Sequence, residues 1–198
     1  MVLDLDETLV HSQFKQPPKF DLKLPVHMEN REFQVYVAVR PGTPEFLQEM
    51  SKYYELVIFT ASLSKYANPL MDILDPDGLC TARLFREHCQ YIDQTYMKDM
   101  SKLGRRIEDV ILIDNSPNSY KLQPENALPC TSWYDDLDDN ELYVYMPLLK
   151  GLSTVPDVRQ VLSVIHKDHV VNLNLAMELV QQLQPEFYPP EANSNSVG

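Results

Sequence analysis

Two aspartates, Asp4 and Asp6, stand two positions apart in LDLDETLVHS, at the end of an apolar run and shortly before Thr8. On an extended backbone, residues i and i+2 point to the same side, so both carboxylates can address one substrate. Carboxylates held that close push their pKa values apart, which suits one to be an ionised nucleophile and the other a proton carrier. Such a pair needs something cationic nearby. An EF-hand calcium loop does not account for it, because D-x-D-x-T-L lacks the third oxygen ligand, the glycine and the distal glutamate of that motif.

Three later segments supply what the pair lacks. FTAS places the Thr60 hydroxyl, with the backbone N–H groups of Ala61 and Ser62, near the start of a predicted helix, where phosphate oxygens are readily bound. Lys98 in YMKDMS can set one positive charge beside a phosphoryl group, and Asp114 and Asn115 in ILIDNSP offer oxygen ligands to a hard cation. A phosphate dianion among Asp4, Asp6 and Asp114 would gather about five negative charges, so Mg²⁺ and Lys98 are needed together to offset them. Taken singly, the segments have ordinary explanations: a polar strand end, a helix cap, a surface lysine, a turn. In this order, each at a strand end or loop, they read as one phosphoryl-handling site.

The elements that must position these residues alternate between short apolar runs and helical periods, the pattern of an α/β fold with a parallel sheet. Buried strands are predicted at Val2 to Leu5, Leu56 to Phe59 and Val110 to Ile113, each ending in polar residues. Ligands of open α/β sheets bind beyond the carboxyl ends of strands, so these polar ends should converge on one crevice. Between the first two strands, Phe33, Val35, Val37 and Val39 alternate with Gln34, Tyr36 and Ala38 after a polar MENRE turn. This predicts a small β-hairpin or three-stranded insertion at about residues 20–39. Helices are predicted from Pro44 to Tyr53, from Leu63 to Leu74 with Pro69 inside, and from Val158 to His166, with short strands across Thr81 to Tyr96. In DDLDDNELYVYMPLLKGL, acidic residues precede an apolar helical pattern, which reads as a solvated helix start rather than a calcium site. Leu173, Leu175, Leu179, Val180 and Leu183 predict a further amphipathic helix, packed on the domain or left for a partner, and PEFYPPEANSNSVG reads as a disordered end.

Composition bounds the function. A chain of 198 residues, 44% of them hydrophobic, can bury the core of one domain. Its 17 Lys and Arg stand against 29 Asp and Glu, a formal charge of −12, which argues against direct nucleic-acid or membrane-surface binding. Any anionic ligand must then meet a local cationic site. Cys80, Cys89 and Cys130 are odd in number and lack a C-x-x-C spacing, so reduced thiols in an intracellular protein are expected rather than a disulfide framework or zinc site. No apolar run approaches the ~18 residues of a membrane span and no signal peptide precedes the first strand, although a start inside an apparent strand suggests upstream sequence.

The ordered set DLDET, FTAS, KD and DNSP resembles the haloacid dehalogenase superfamily of aspartate-nucleophile phosphotransferases. More closely, DLDETLVHS, QVYVAVRPG, FTASLSKYA, ARLFREHC and ILIDNSP resemble the small phosphatases acting on the C-terminal domain of RNA polymerase II, from Val2 to about Leu162. The resemblance implies a haloacid dehalogenase-like (Rossmann-like) fold, a central parallel sheet flanked by helices with the hairpin inserted. It further implies a phosphatase domain over residues 1–166, with a C-terminal helix and tail at 167–198. It makes Asp4 the nucleophile, forming an aspartyl phosphate, and Asp6 the group that protonates the departing serine oxygen and later deprotonates water. Mg²⁺ would be held by Asp4, the backbone carbonyl of Asp6 and Asn115, with Asp114 at the metal's edge, while Thr60 and Lys98 orient and neutralise phosphoryl oxygens. Aspartate at the second position is the phosphatase choice, because an acid/base there speeds hydrolysis of the intermediate. The insertion would form an apolar pocket for a proline near the phosphoserine at Phe14, Val26, Met28, Val35 and Leu63, with Tyr66 close by and Arg86 touching substrate. The hairpin's own core would produce the same alternation. Met28 departs from the branched aliphatic usual at its position.

The expected activity is thus that of a Mg²⁺-dependent phosphoserine protein phosphatase. The leading substrate is the phosphorylated heptad tail of RNA polymerase II, in a nuclear or otherwise intracellular setting, with membrane tethering left to upstream sequence. A Dullard-type phosphatase of lipin-like or other phosphoserine proteins carries the same four motifs and stands beside it. A phosphopeptide-binding adaptor without turnover is disfavoured, since nucleophile, acid/base, lysine and metal ligands are all present. A metabolite phosphatase is disfavoured by a hairpin too small to seal the site.

Overall fold

The computed structural model describes residues 1–28, 31–167 and 170–183; part of the MENRE turn and the whole PEFYPPEANSNSVG end lie outside the described residues. The chain opens with β1 (Val2–Leu3), β2 (Val10–Gln13), β3 (Leu22–Met28), β4 (Arg31–Val39) and helix α1 (Thr43–Met50). Then come β5 (Leu56–Phe59), α2 (Ser64–Leu74), β6 (Cys80–Leu84), β7 (Gln90–Ile92) and β8 (Thr95–Met97). Next are β9 (Leu112–Asp114), β10 (Ala127–Pro129), α3 (Glu141–Leu152), α4 (Arg159–Ile165), β11 (His166–Lys167), β12 (Val170–Val171) and α5 (Leu173–Leu183).

The main sheet is parallel, in the order β10-β9-β1-β5-β6. β1 is its middle strand: Val2 pairs with Val57 and Leu112, and Leu3 with Ile58 and Ile113. Three predicted strands are therefore joined by two more at the edges. β10 escaped notice because Ala-Leu-Pro carries no β-branched signal, and its proline is tolerated only because the strand is an edge. β1 stops at Leu3, short of the expected Leu5, because the chain turns there: the N–H groups of Leu9 and Val10 both donate to the Leu5 carbonyl, at 2.9 and 3.1 Å. At the third strand, Val110 instead closes a 3₁₀ turn by donating to the Ile107 carbonyl at 3.2 Å, which shifts the strand to Leu112–Asp114.

Successive strand residues point to opposite faces and enter different cores. Leu3, Ile58, Ile113 and Leu128 join one cluster with Phe46 and Met50 of α1, Leu70 of α2, Leu148 and Leu149 of α3, Val161 of α4 and Val180 of α5. Val2, Phe59, Leu112 and Ala127 face the other side, covered by Met100, Val110 and Tyr120. The C-terminal amphipathic helix is therefore packed on the domain, with Ala176 and Val180 fully or nearly buried.

The insertion is a three-stranded antiparallel sheet in the order β2-β4-β3, in which Val35 opposes Leu24 and Phe33 opposes Val26. Val35, Val37, Leu24 and Val26 are buried. After β4, Gly42 takes φ 82° and leads into α1 with proline in its first turn. The positive φ favours glycine there, and a Cβ would also displace the exposed Tyr143 ring, 2.6 Å away.

Candidate active site

The expected convergence of strand ends is present. Asp4 follows β1, Thr60 follows β5 and Asp114 ends β9, all at the carboxyl edge of adjacent strands. Lys98 arrives from β8, its backbone N–H donating to the Ser119 carbonyl at 2.8 Å. The Lys98 ammonium, 1% exposed, donates to Asp4 Oδ1 at 2.5 Å and to Asp114 Oδ2 at 2.6 Å. Burial works against the lysine charge, but Asp114 and Asp4 outweigh it and hold Lys98 well above the ordinary lysine range. Asp4 is pushed up to about 7, foremost by burial, against the pull of Lys98 and with reinforcement from Asp114. Asp6 contributes least to that shift.

Asp6 occupies a separate environment. Its Oδ1 accepts from the Tyr66 hydroxyl at 2.8 Å and the Ser12 hydroxyl at 3.4 Å; its Oδ2 accepts from Ser62 at 2.7 Å and Thr60 at 3.4 Å. The two aspartates therefore do not share Lys98. The ammonium joins Asp4 to Asp114, whereas hydroxyl dipoles hold Asp6. Burial, followed by the Asp6 charge, pushes the Tyr66 phenol far above its ordinary range, so at neutral pH it is a donor. The phosphate cradle expected at FTAS is also reduced, since the Ser62 N–H is taken by the Thr60 hydroxyl at 3.0 Å and α2 begins only at Ser64.

The donor set fits a hard cation. Thr8, fully buried, points its hydroxyl at both Asp4 Oδ2, 3.0 Å away, and Asn115 Oδ1, 3.3 Å away. One hydroxyl proton can satisfy only one of these oxygens, which leaves lone pairs facing the same space. The Asn115 amide donates to the Ser132 hydroxyl at 2.8 Å, which fixes the amide with its oxygen toward Thr8. Asp114 Oδ1 accepts the Ser116 N–H at 2.8 Å, leaving this carboxylate bound on both oxygens. Asp4 and Asn115 are thus the side chains able to hold a metal directly, with Asp114 behind them and the Asp6 carbonyl in the same turn. Carboxylate and amide oxygens suit Mg²⁺ rather than a soft metal.

Beside Asp6 lies a groove of about 250 Å³, lined by Phe14, Val26, Val35, Leu63, Tyr66 and Arg86 together with Ser12 and Ser62. All the predicted substrate-pocket residues with described side chains meet there; Met28 is placed by its backbone alone, at the end of β3. Phe14 stands 62% exposed at the rim, edge-on to Phe33 at 5.9 Å. Arg86 donates from Nε to the Ala61 carbonyl at 2.6 Å and stacks over Tyr96 at 5.1 Å. A larger hollow of about 660 Å³, bordered by Val2, Phe59 and Leu103 on the sheet's second face, is lined by none of the predicted site residues.

Sequence reasoning missed several members of the site. The sequence signals Ser62 only for its backbone N–H and Thr8 only as the end of D-x-D-x-T; the structure adds the hydroxyl of each, Thr8 on Asp4 and Ser62 on Asp6. Arg40 gave no such signal. It is 0% exposed and donates in bidentate fashion to Asp139 at 2.8 and 2.7 Å, and to Glu141 at 2.7 Å. It also reaches the carbonyls of Thr8 and Thr131, each at 3.2 Å. Burial disfavours its charge, but Asp139 and its neighbours hold the guanidinium above its ordinary range. The acidic start of α3 is accordingly corrected: Asp139 and Glu141 are not merely solvated but are partners of a buried arginine that braces the Asp4–Thr8 turn.

The sequence model of the family described as NLI interacting factor-like phosphatase matches residues 1–159. The human CTD small phosphatase-like protein is 51% identical over 162 residues, 82% of this chain and 59% of the relative. Phosphatase Herzog of Drosophila melanogaster is likewise 51% identical over 162 residues, 82% of this chain and 46% of the relative. Human carboxy-terminal domain RNA polymerase II polypeptide A small phosphatase 1 is 49% identical over 162 residues, 82% of this chain and 62% of the relative. The chain thus spans 46% to 62% of the length of these relatives. Among solved structures, Fcp1, an essential RNA polymerase II CTD phosphatase, aligns with a TM-score of 0.57 at 19% identity over 93% of this chain and 60% of that one. Fission yeast Fcp1 bound to beryllium fluoride gives 0.56 at 19% identity over 93% and 50%. At that identity the likeness is one of fold, the central parallel sheet with its helices.

Proposed function

Since the chain belongs to the NLI interacting factor-like phosphatase family, we propose that it is a Mg²⁺-dependent phosphoserine protein phosphatase working through an aspartyl phosphate. The observation that carries this reading is the buried Asp4 carboxylate at a strand end, ion-paired to Lys98, with its second oxygen accepting from the Thr8 hydroxyl, which also lies 3.3 Å from the Asn115 side-chain oxygen. An Asp4 oxygen attacks phosphorus as the bond from phosphorus to the serine oxygen breaks, and Asp6 gives its proton to that leaving oxygen. Asp6 then takes a proton from water as the water oxygen bonds to phosphorus, the bond to Asp4 breaks, and inorganic phosphate leaves. Lys98 keeps a fixed positive charge against the nucleophile, and Thr60 orients the phosphoryl group. Mg²⁺ held by Asp4, the Asp6 carbonyl and Asn115, with Asp114 behind, would offset the charge of the phosphoryl oxygens.

The proposed substrate is the phosphorylated heptad tail of RNA polymerase II, which gives a nuclear setting. Two observations support it: relatives about half identical in sequence are named for that domain, and an apolar groove suited to proline adjoins Asp6. Asp4→Asn should lower Mg²⁺-dependent hydrolysis of p-nitrophenyl phosphate by on the order of 10³-fold or more, and EDTA should abolish wild-type turnover. Unchanged activity in the variant would remove the mechanism. Heptad peptides phosphorylated at single serines, run beside a lipin-derived phosphopeptide, test the substrate; preference for the latter would reassign it.

A further inference from the structure

We infer that Ser62 and Tyr66 are positioning residues whose hydroxyls, one on each oxygen of Asp6, hold that carboxylate in line with the leaving oxygen. The inference rests on Asp6 being the proton carrier of the proposed reaction. Among the described residues, no lysine or arginine forms an ion pair with Asp6, so hydrogen bonds alone set its orientation. The torsion that turns a carboxylate about its last bond is soft, and a group meant to deliver a proton along one line gains nothing from that freedom. The two short contacts, Tyr66 to Oδ1 at 2.8 Å and Ser62 to Oδ2 at 2.7 Å, oppose that rotation from both sides; the Ser12 and Thr60 contacts, each 3.4 Å, are weaker.

Both donors come from one short segment that is itself anchored. The Ser62 N–H donates to the Thr60 hydroxyl at 3.0 Å, and the Ser62 carbonyl accepts the Arg86 N–H at 3.0 Å. Four residues on, the Tyr66 N–H donates to the Leu63 carbonyl at 3.0 Å in the first turn of α2. The donors are therefore rigid relative to β5, which positions the acid as other preorganised sites position theirs.

Ser62 and Tyr66 also border the groove, so the test uses substrates too small to fill it. Phenyl phosphate needs a proton on its departing oxygen; p-nitrophenyl phosphate, with a far better leaving group, needs it much less. The ratio of kcat/KM for the nitrophenyl over the phenyl ester should rise roughly ten-fold in Ser62→Ala and Tyr66→Phe relative to wild type, within the range that general acid catalysis supplies. Ser62→Thr, which keeps a hydroxyl, should return the ratio to near wild type. A purely structural role would depress both esters equally and leave the ratio unchanged, and a role only in lining the groove would leave both rates unchanged; either result overturns the inference. A wild-type protein inactive on both esters would instead remove the phosphatase reading on which the inference stands.

Discussion

Asp4 and Asp6 share a motif but not an environment. Asp4 is buried against Lys98, with Asp114 the stronger source of like charge, while Asp6 stands among hydroxyls beside the groove. The proposed division of labour between the carboxylates rests on that separation: one is tied to the interior cation, and the other borders the groove. A consequence for stability follows from the Asp4 carboxyl, raised from 3.8 to about 7. Between those values the folded, metal-free chain binds a proton that the unfolded chain has released, so this group makes stability fall as pH rises through that window. Thermal unfolding in EDTA should show a Tm that declines from pH 5 to pH 6; above that the Met1 amine, lowered by burial from 8.0 to about 6, works in the opposite direction. Mg²⁺ should raise Tm most at pH 8, because cation and proton compete for the same oxygens. A Mg²⁺ effect independent of pH would remove Asp4 from the metal site.

At the scale of elements, the site is built where strands stop. β1 has two residues and breaks into a tight turn on the Leu5 carbonyl, and that turn carries Asp6 and Thr8 beyond the sheet edge. The turn is tied to the start of α3 through Arg40, which donates to both the Thr8 carbonyl and Glu141. One close approach on α3 lends itself to measurement: a Cβ at Gly151 would fall 2.7 Å from Val180 Cγ1 of α5. On an isolated helix, Gly→Ala would add about 1 kcal/mol of stability. Here Gly151→Ala should instead lower Tm and speed amide exchange across Leu173–Leu183 as α5 is pushed from its seat. Adding Val180→Ala should recover part of the loss, a coupling that a double-mutant cycle reads directly. Additive losses would mean that the glycine is there for some reason other than helix contact.

Across the whole molecule, Arg40 joins parts that the chain keeps far apart. It leaves the end of β4, passes the Thr8 carbonyl, and ends on Asp139 and Glu141 at the start of α3. The inserted sheet, the Asp4–Thr8 turn and the helical layer are thus braced on one buried guanidinium. Removing one partner of a buried ion pair leaves the others uncompensated, so Arg40→Met should cost about 3–5 kcal/mol in urea unfolding. Chain charge adds a constraint: at −12, attraction of the proposed phosphopeptide substrate would have to come from local cations such as Lys98 and Arg86 rather than from the global field. No helix of the described residues is long and apolar enough to cross a membrane.

The sequence alone determined the parts that depend on local pattern. Apolar runs ending in polar residues placed three strands of the parallel sheet and the convergence of Asp4, Thr60 and Asp114 at its edge; alternation placed Val35 and Val37 inward on β4; helical periodicity placed α5 over Leu173–Leu183. It also brought together Phe14, Val26, Val35, Leu63, Tyr66 and Arg86, through motif resemblance rather than periodicity. What it left open were relations between distant segments. Periodicity records which face of an element is apolar, but not which carboxylate a lysine chooses, so Lys98 was legible as a cation and its bridge from Asp4 to Asp114 was not. Arg40 reads as a loop arginine until folding removes its water and acceptors on Thr8, Thr131, Asp139 and Glu141 close around it. Ser62 and Tyr66 likewise become partners of Asp6 only when β5 is laid beside β1. Burial and hydrogen-bond partnership are properties of the packed chain, and they decided how the residues named by the sequence are held.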